Sequence, residues 1–142
     1  MAIGAVPEGR TRSKFLVLGL ADSTVRNLSL EPESQLQCIA IQALPALPES
    51  VCFLVLGGDD ESAGGAPSQG LFSSSQERLY LLVGLENGVL LRSLVDNITG
   101  QITDSRQQLL GARAVKLTLI KQKNAQAVVA LSNKSHLCYS HL

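Results

Sequence analysis

One short phrase occurs three times in this 142-residue chain, and it constrains the fold more than any other feature. The copies read VLGLADSTV, LVGLENGVL and VALSNKSHL. Each contains an apolar run, a turn and a further extended run, which is the pattern of a β-hairpin. Aligned on their turns, the copies place Gly19, Gly84 and Ala130 at the same position, with intervals of 65 and 46 residues.

The corners of the three phrases carry residues that suit tight turns. Asn87-Gly88 tolerates positive φ and predicts a hairpin turn of two residues. Asp22 and Asn133 stand at the corresponding corner of the other copies. A small residue precedes each turn and would let the strand pack closely against a neighbour. The predicted structural repeat turns are Gly19, Asp22, Gly84, Asn87, Gly88 and Asn133.

The spacing of the phrases predicts a repeat architecture. The segment Gly57–Glu77 is rich in Gly, Ser and acidic residues and predicts a flexible surface loop, with an inter-domain linker as the alternative. Without its roughly 20 residues, both intervals are about 45 residues long, and a period of about 40–50 residues with about four short strands is typical of a β-propeller blade. Similar hairpins in a β-sandwich are the alternative.

The expected fold is therefore all-β: an incomplete β-propeller of about two to three blades, each an antiparallel four-stranded sheet. Residues 1–13 are expected to be disordered or extended, and residues 14–142 to form the partial propeller with the flexible loop at 57–77. Because a propeller needs about four to eight blades, two blade faces are expected to be open. The charged fraction of 17% is lower than the usual ~25%, which agrees with faces that contact other surfaces.

Short apolar runs bounded by turn residues predict nine strands. LYLLVGL is apolar throughout, as expected of a strand buried on both faces. The predicted strands are about Lys14–Leu20, Thr24–Leu30, Leu36–Gln42, Ser50–Leu56, Arg78–Leu85, Val89–Val95, Ala114–Lys121, Ala127–Ser132 and Ser135–Ser140.

Composition argues against direct binding of nucleic acid. Twelve Lys and Arg balance twelve Asp and Glu, so no excess of positive charge is available to neutralise phosphates. Aromatic residues make up 4% of the chain and Trp is absent, which argues against a base-stacking platform. Protein partners are favoured instead. The sequence shows no signal peptide and no apolar run of the roughly 20 residues that a membrane span requires.

The sequence contains no motif of an enzyme or of a metal site. P-loop, G-x-S-x-G, G-x-G-x-x-G and H-E-x-x-H patterns are absent, so no catalytic, cofactor-binding or metal-binding residue is predicted. His136 and His141 would point to opposite faces of a strand. Asp59, Asp60 and Glu61 are expected to form a solvated charge cluster.

The three cysteines are far apart and form no C-x-x-C pair, so neither a disulfide framework nor a zinc site is expected. Cys38 and Cys52 lie in apolar-rich segments and are expected to be buried thiols. Free thiols suit a reducing compartment. Among the arginines near turns or strand ends, the candidate interface residues are Arg92, Arg106 and Arg113, with solvated surface charge as the alternative.

Four stretches resemble the splicing factor 3B subunit 3 family of large β-propeller proteins. They read RSKFLVLGLADSTVRNLSLEP, IQALPALPESVCF, LYLLVGLENGVLLRSLVDNITGQITDSR and LLGARAVKLTLI, and the resemblance runs from about Arg12 to Ser140. QALPALPES, GLENGVLLR and LGARAVKL are its most specific parts. The large subunit of cleavage and polyadenylation specificity factor and the damaged-DNA-binding ubiquitin-ligase adaptor share the architecture but look more distant. The segment Gly57–Glu77 departs from the family pattern.

The resemblance implies a nuclear, non-enzymatic protein-interaction scaffold in pre-mRNA splicing, with no cofactor. Such a scaffold would belong to the splicing factor 3b complex of the U2 small nuclear ribonucleoprotein, which helps define the branch site, and this segment would lie in a middle propeller of a much longer protein. The implied partners are a HEAT-repeat subunit and a small PHD-finger-like subunit, with RNA contacted at most indirectly, and with neither a membrane nor a small-molecule substrate.

Two other functions stay open at this point. The first is an adaptor scaffold of a ubiquitin ligase or of a polyadenylation complex, which different co-purifying partners would identify. The second is a small ligand-binding or catalytic β domain, which would show a pocket with convergent polar groups.

Overall fold

The computed structural model describes residues 1–6, 11–56, 78–122 and 125–139. These residues form three antiparallel sheets of short strands, and no helix occurs among them. Sheet 1 contains β1 (Ala2–Ile3), β2 (Phe15–Leu20), β3 (Thr24–Ser29) and β4 (Cys38–Ala43). Sheet 2 contains β5 (Pro48–Leu56), β6 (Arg78–Leu85), β7 (Val89–Val95) and β8 (Ile102–Leu109). Sheet 3 contains β9 (Lys116–Gln122), β10 (Ala125–Leu131) and β11 (Ser135–Tyr139).

Within each sheet, every strand pairs with the strand that follows it in the chain. Consecutive strands of an antiparallel sheet need only short connections, which the turn residues of this sequence supply. The expected all-β architecture of propeller-like blades is confirmed, with two four-stranded sheets and one three-stranded sheet among the described residues. These sheets are open and do not close into a ring.

Sheet 2 lies between the other two sheets, and its second strand shows this most clearly. Every residue from Leu81 to Leu85 is buried. Successive side chains of a strand point to opposite faces, so a continuously buried strand must be covered on both sides. The apolar run LYLLVGL is thus explained by the position of β6 in the middle of the stack.

Two separate hydrophobic clusters hold the three sheets together. The cluster between sheets 1 and 2 contains Phe15, Val17 and Val25 from sheet 1. The cluster between sheets 2 and 3 contains Val115 and Val128 from the sheet 3 side. Sheet 2 contributes alternate residues of its strands to each cluster. Its residues are Phe53, Leu79, Leu81, Val83, Leu85, Leu91 and Val95 in the first cluster, and Cys52, Leu54, Leu82 and Leu90 in the second.

The nine predicted strands are all present, and β6 and β7 have the predicted bounds. The structure adds two strands, β1 and β8, that were not predicted. One prediction of burial is wrong. Cys52 is buried, but Cys38 is exposed because it begins the outermost strand of sheet 1, opposite Leu28 on the face turned away from sheet 2.

Several predictions fall outside the described residues. The expected loop at 57–77, with its acidic cluster Asp59, Asp60 and Glu61, is one of them. His141 is another. Among the described residues, no helix is long and apolar enough to cross a membrane.

Candidate interaction surface

Two glycines of the repeated phrase lie where neighbouring sheets approach each other most closely. A Cβ atom on Gly19 would lie 3.0 Å from Cγ of Pro48, at the start of sheet 2. On Gly84 it would lie 2.2 Å from the carbonyl oxygen of Val115, next to sheet 3, and 2.7 Å from Oγ of Ser50. The first and second copies of the phrase therefore mark the points at which one sheet contacts the next.

The second hairpin has a loop one residue longer than the two-residue turn predicted at Asn87-Gly88, and the first hairpin has a loop of the same length. Leu20 pairs with Thr24, which leaves residues 21–23 as a three-residue loop. In sheet 2 the backbone N–H of Gly88 donates to the carbonyl of Leu85 at 3.2 Å. The last loop residue has positive φ in both hairpins, 57° at Ser23 and 84° at Gly88. A three-residue loop with a left-handed final residue follows the strand twist as well as a two-residue turn does.

Asp22 and Asn87 make the same side-chain to backbone hydrogen bond in their turns. A side-chain oxygen of Asp22 accepts a hydrogen bond from the backbone N–H of Thr24, and that of Asn87 accepts one from Val89 at 3.2 Å. The hydroxyl of Thr24 also donates to Asp22, and this bond is the main reason that the pKa of the carboxyl is lowered. These bonds fix the first two hairpins in matching geometry.

The third copy of the phrase differs from the first two. The side-chain oxygen of Asn133 accepts a hydrogen bond at 3.1 Å from the N–H of Arg113, in the connection that leads from sheet 2 to sheet 3. Ala130 packs into the cluster with Leu82, on the side of the preceding sheet, whereas Gly84 faces the following sheet. The hairpin position of Ala130 matches that of the two glycines, because Leu131 pairs with Ser135 as Leu20 pairs with Thr24, but Ala130 packs toward the opposite neighbouring sheet.

A buried asparagine joins sheets 1 and 2 near the outer ends of their strands. Asn27 is 0% exposed, and its Nδ2 donates to the carbonyl of Gly100 at 2.7 Å. Gly100 ends the β7–β8 turn, which Asp96 holds by accepting hydrogen bonds from the N–H groups of Ile98 and Thr99. Those two bonds hold the pKa of the Asp96 carboxyl below its ordinary value.

The outer strand of sheet 1 lies against the outer strand of sheet 2 through polar contacts. Nε2 of Gln42 donates to Oγ of Ser105 at 2.8 Å, and Ser105 also bonds to Ser93 at 2.8 Å. Nε2 of Gln101 donates to the carbonyl of Ile39 at 3.3 Å. The outer part of this interface is thus more polar than its centre.

Two of the predicted interface arginines are neighbours, although they are fourteen positions apart in the sequence. Arg92 and Arg106 are directly opposed across β7 and β8. Arg92 is half-buried, and its guanidinium carbon lies 5.2 Å from the centre of the Tyr80 ring, which is the geometry of a cation–π contact. Arg106 is 68% exposed, and its Nε donates to the carboxylate of Asp104 at 3.4 Å.

Arg113, the third predicted interface arginine, lies elsewhere. It sits in the connection before β9, and its carbonyl accepts a hydrogen bond from the hydroxyl of Ser132 at 2.6 Å. Its side chain is exposed. The structure therefore brings Arg92 and Arg106 together and separates Arg113 from them.

Arg92 and Arg106 line a groove of about 350 Å³ beside β11, which we call the rim groove. Sequence reasoning missed this groove because β8 was not predicted, and without β8 nothing places the two arginines opposite each other. The rim groove is lined by Leu90, Arg92, Arg106, Gln107, Gln108, His136 and Cys138. Burial raises the pKa of the Cys138 thiol, and the charge of Arg92 partly opposes that effect.

The outer faces of sheets 1 and 3 are apolar and uncovered by other described residues, in agreement with the expected open blade faces. Ile41 is 62% exposed on sheet 1, and Leu137 is 55% exposed on sheet 3. Contiguous exposed apolar surface usually marks an interaction site. By strand alternation and pairing, the open face of sheet 1 carries Arg26 and Thr24, and that of sheet 3 carries Thr118 and Lys116, each among a larger number of apolar residues. The apolar residues are Ile3, Leu16, Leu18, Leu20, Leu28 and Ile41 on sheet 1, and Ile120, Val129, Leu131 and Leu137 on sheet 3.

The described residues contain no group of three or more His, Cys, Asp or Glu side chains placed to hold a metal ion. The described residues instead offer surfaces for binding. These are two largely apolar sheet faces and a cationic groove at the outer rim, and closely packed turns fix the sheets that carry them.

Comparison with known proteins identifies the family. The sequence profile of the RSE1/DDB1/CPSF1 second β-propeller matches residues 2–142. Splicing factor 3B subunit 3 of Drosophila melanogaster is 44% identical over 146 residues, which cover 99% of this chain and 12% of that protein. Pre-mRNA-splicing factor RSE1 of Pyricularia oryzae is 41% identical over 140 residues, covering 99% of this chain and 10% of that protein. Spliceosome-associated protein 130 A of Arabidopsis thaliana is 42% identical over 143 residues, covering 98% of this chain and 11% of that protein.

The chain thus spans about a tenth of the length of these curated relatives. The similarity nevertheless covers nearly all of the chain itself, and the resemblance found in the sequence is confirmed. Because the profile match and the stacked blade-like sheets agree, the chain belongs to the RSE1/DDB1/CPSF1 second β-propeller family.

Proposed function

We propose that this chain acts as a protein-interaction scaffold in pre-mRNA splicing. The observation that carries the proposal is its similarity, at 41–44% identity over 98–99% of its length, to proteins named as splicing factors in a fly and a fungus and as a spliceosome-associated protein in a plant. We further propose that it works in the nucleus, as part of the splicing factor 3b complex of the U2 small nuclear ribonucleoprotein, and that it performs no chemical step.

The mechanism of such a scaffold is geometric. Each sheet buries its faces against its neighbours, so the hairpin turns and outer strands are held in fixed relative positions. The close contact of Gly84 with the Val115 backbone and the bond between Asn27 and Gly100 supply that rigidity here. Partners then bind by shape and by burial of surface, with little reordering of the scaffold itself.

The partners that we propose are protein subunits, namely a HEAT-repeat subunit and a small PHD-finger-like subunit. The formal net charge of zero supports protein partners over direct contact with RNA, which would need a positively charged face. The two arginines of the rim groove are too few to supply such a face.

An affinity pull-down from nuclear extract tests the proposal. The tagged 142-residue chain serves as bait, a propeller fragment of unrelated sequence serves as control, and captured proteins are identified by mass spectrometry. The proposal predicts enrichment of branch-site splicing subunits over the control. Capture of polyadenylation or ubiquitin-ligase subunits instead would support the adaptor alternative, and capture of chaperones alone would count against a scaffold role for this chain.

A further inference from the structure

The second copy of the repeated phrase contains the chain's single Asn-Gly pair, Asn87-Gly88. The backbone nitrogen of the residue that follows an asparagine can attack the side-chain amide and form a five-membered cyclic imide. A glycine leaves this nitrogen unshielded, because it has no Cβ atom. Larger residues follow the other asparagines of the chain and obstruct the same approach. They are Leu28, Ile98, Ala125 and Lys134.

The hairpin turn presents the Asn87 side chain in an orientation that suits this attack. Asn87 is exposed, and its Nδ2, which would leave as ammonia, has no hydrogen-bond partner among the described residues. Its Oδ1 accepts a hydrogen bond from the N–H of Val89 at 3.2 Å. Negative charge develops on this oxygen when a nitrogen attacks Cγ, and a fixed backbone donor stabilises such charge. The N–H of Val89 therefore favours the attack.

The attacking nitrogen is held by the longest of the backbone bonds around this turn. The N–H of Gly88 donates to the carbonyl of Leu85 at 3.2 Å, at the long end of the usual range. This bond must open before the nitrogen can lose its proton. The carbonyl of Leu85 also accepts from the N–H of Val115 at 3.0 Å, so it keeps a partner when the N–H of Gly88 leaves.

Gly88 also fixes the connection that leads from sheet 2 to sheet 3. Its carbonyl accepts a hydrogen bond from the N–H of Leu110 at 2.9 Å. Its φ is 84°, and a Cβ atom on Gly88 would overlap the carbonyl of Gly111. The backbone of the turn thus has little room to move against this connection, and a change in its length would disturb the contact.

We propose that Asn87 is a site of spontaneous deamidation in the folded chain, and that the isoaspartate product loosens the contact between sheets 2 and 3. The Gly88 nitrogen gives its proton to solvent and bonds to Cγ of Asn87. The Cγ–Nδ2 bond then breaks, and Nδ2 takes up a solvent proton and leaves as ammonia. Water adds its oxygen to one of the two imide carbonyl carbons and returns a proton to the Gly88 nitrogen as that C–N bond breaks.

The two products differ in the length of the main chain. Cleavage at Cγ gives an aspartate, which keeps the backbone unchanged and retains an oxygen for the N–H of Val89. Cleavage at the backbone carbonyl gives an isoaspartate, whose main chain runs through Cβ and Cγ and is longer by one bond of about 1.5 Å. Gly88 then cannot keep both its bond to Leu110 and its packing against Gly111. The reaction needs only this chain and water, so it does not depend on the proposed scaffold function.

Incubation of the purified, folded 142-residue chain in heavy-oxygen water at mildly alkaline pH tests the modification. Hydrolysis places solvent oxygen in the product, so mass spectrometry of peptides digested in ordinary water detects only new deamidation. We expect label at Asn87 at least about tenfold faster than at Asn97 or Asn133, which are also exposed but precede larger residues. Asn133 is the closer control, since its Oδ1 also accepts a backbone N–H. Asn87→Gln, which would have to form a six-membered imide, should stay unlabelled at that position.

Amide hydrogen exchange measured by NMR tests the consequence for the sheet contact. The aged chain is separated by chromatography, and fragmentation in the mass spectrometer identifies the isoaspartate form. The N–H of Leu110 should exchange at least about tenfold faster in that form than in the unaged chain, because its hydrogen bond is lost. The N–H of Leu44 makes the equivalent bond to Ser23 in the first hairpin and should keep its rate. Asn87→Asp, which reproduces the other product, should leave both rates unchanged.

Three results would overturn the proposal. The first is label at Asn87 that appears no faster than at Asn133 in the folded chain. The second is label at Asn87 that appears only when the chain is unfolded in urea, which would show that the fold prevents the attack. The third is an unchanged exchange rate of Leu110 in the isoaspartate form. The comparison among asparagines of the wild-type chain stands whether or not the Asn87→Gln variant folds.

Discussion

At the scale of single residues, Gly84 sets how closely sheets 2 and 3 approach. Its φ lies outside the left-handed region, so the requirement for glycine comes from space alone. A Cβ atom would lie 2.2 Å from a backbone oxygen, which cannot rotate away. Gly19 occupies the equivalent place between sheets 1 and 2, but its nearest neighbour is a proline side-chain atom at 3.0 Å.

Substitution of Gly84 by alanine should therefore destabilise the fold more than the same change at Gly19. We expect Gly84→Ala to lower the free energy of unfolding by about 1–3 kcal/mol, the usual cost of overpacking a close contact. Urea unfolding at fixed chain concentration measures both variants. A Gly19→Ala loss that equals or exceeds the Gly84→Ala loss would contradict this account of the contact.

Asn27 makes a second residue-scale contact between sheets, and it is polar. Its side chain is fully buried and satisfies the carbonyl of Gly100. Asn27→Ala should cost about 1–3 kcal/mol of unfolding free energy, because it leaves a buried acceptor without a donor. The control is Asn87→Ala, which removes an exposed bond between residues two apart. Urea unfolding of both variants measures which of them loses more unfolding free energy. A larger loss for Asn87→Ala than for Asn27→Ala would refute this account.

At the scale of elements, the strands that the sequence predicted are those with a buried face. β6 and β7 lie in the middle of sheet 2, so most of their residues are buried and the apolar run ends where the turn residues begin, which makes the bounds sharp. β8 was missed because its residues are nearly all exposed and polar, as in ITDSRQQL. Its strand structure comes from backbone pairing with β7, which leaves no hydrophobic period in the sequence.

The candidate site likewise has one part that the sequence predicts and one part that it does not. The corners at Asp22 and Asn87 could be predicted, because their side chains bond to backbone groups two residues along the chain. The rim groove could not, since it depends on β8 and on the packing of sheet 3 against sheet 2. The third phrase forms a hairpin of the same length, since Leu131 pairs with Ser135, but the opposite face of its strand is buried. A hairpin corner looks alike in sequence whichever face of the strand is turned inward.

The β7–β8 turn should respond to pH through Asp96. Hydrogen bonds from the Thr99 and Ile98 N–H groups lower the pKa of this carboxyl from its ordinary value of 3.8. A lowered pKa means that the turn is stabilised above that ordinary value and loses this stabilisation as pH falls through the folded-state pKa. Amide NMR signals of Ile98 and Thr99 should therefore titrate with a midpoint below 3.8. Asp96→Asn should abolish the transition, and a midpoint at or above 3.8 would contradict the hydrogen-bonded turn.

At the scale of the whole molecule, the stack formed by the described residues has two largely apolar ends. Within it, sheet 2 is covered on both faces, whereas sheets 1 and 3 each bury one face and expose the other. A sheet with an exposed apolar face tends to associate with another such surface. In the family to which the chain belongs, propellers consist of antiparallel sheets stacked face to face, and the open faces agree with that architecture.

Sedimentation velocity of the purified chain tests the central claim, that these are propeller blades whose end faces are built to be covered. We predict that the wild-type chain self-associates with rising concentration and that Ile41→Glu/Leu137→Glu, which places a charge on each open face, is monomeric. The control is Ile98→Glu, which charges an 86% exposed residue in the β7–β8 turn and should associate like the wild type. A wild-type chain that sediments as a sharp monomer and unfolds cooperatively would contradict the claim.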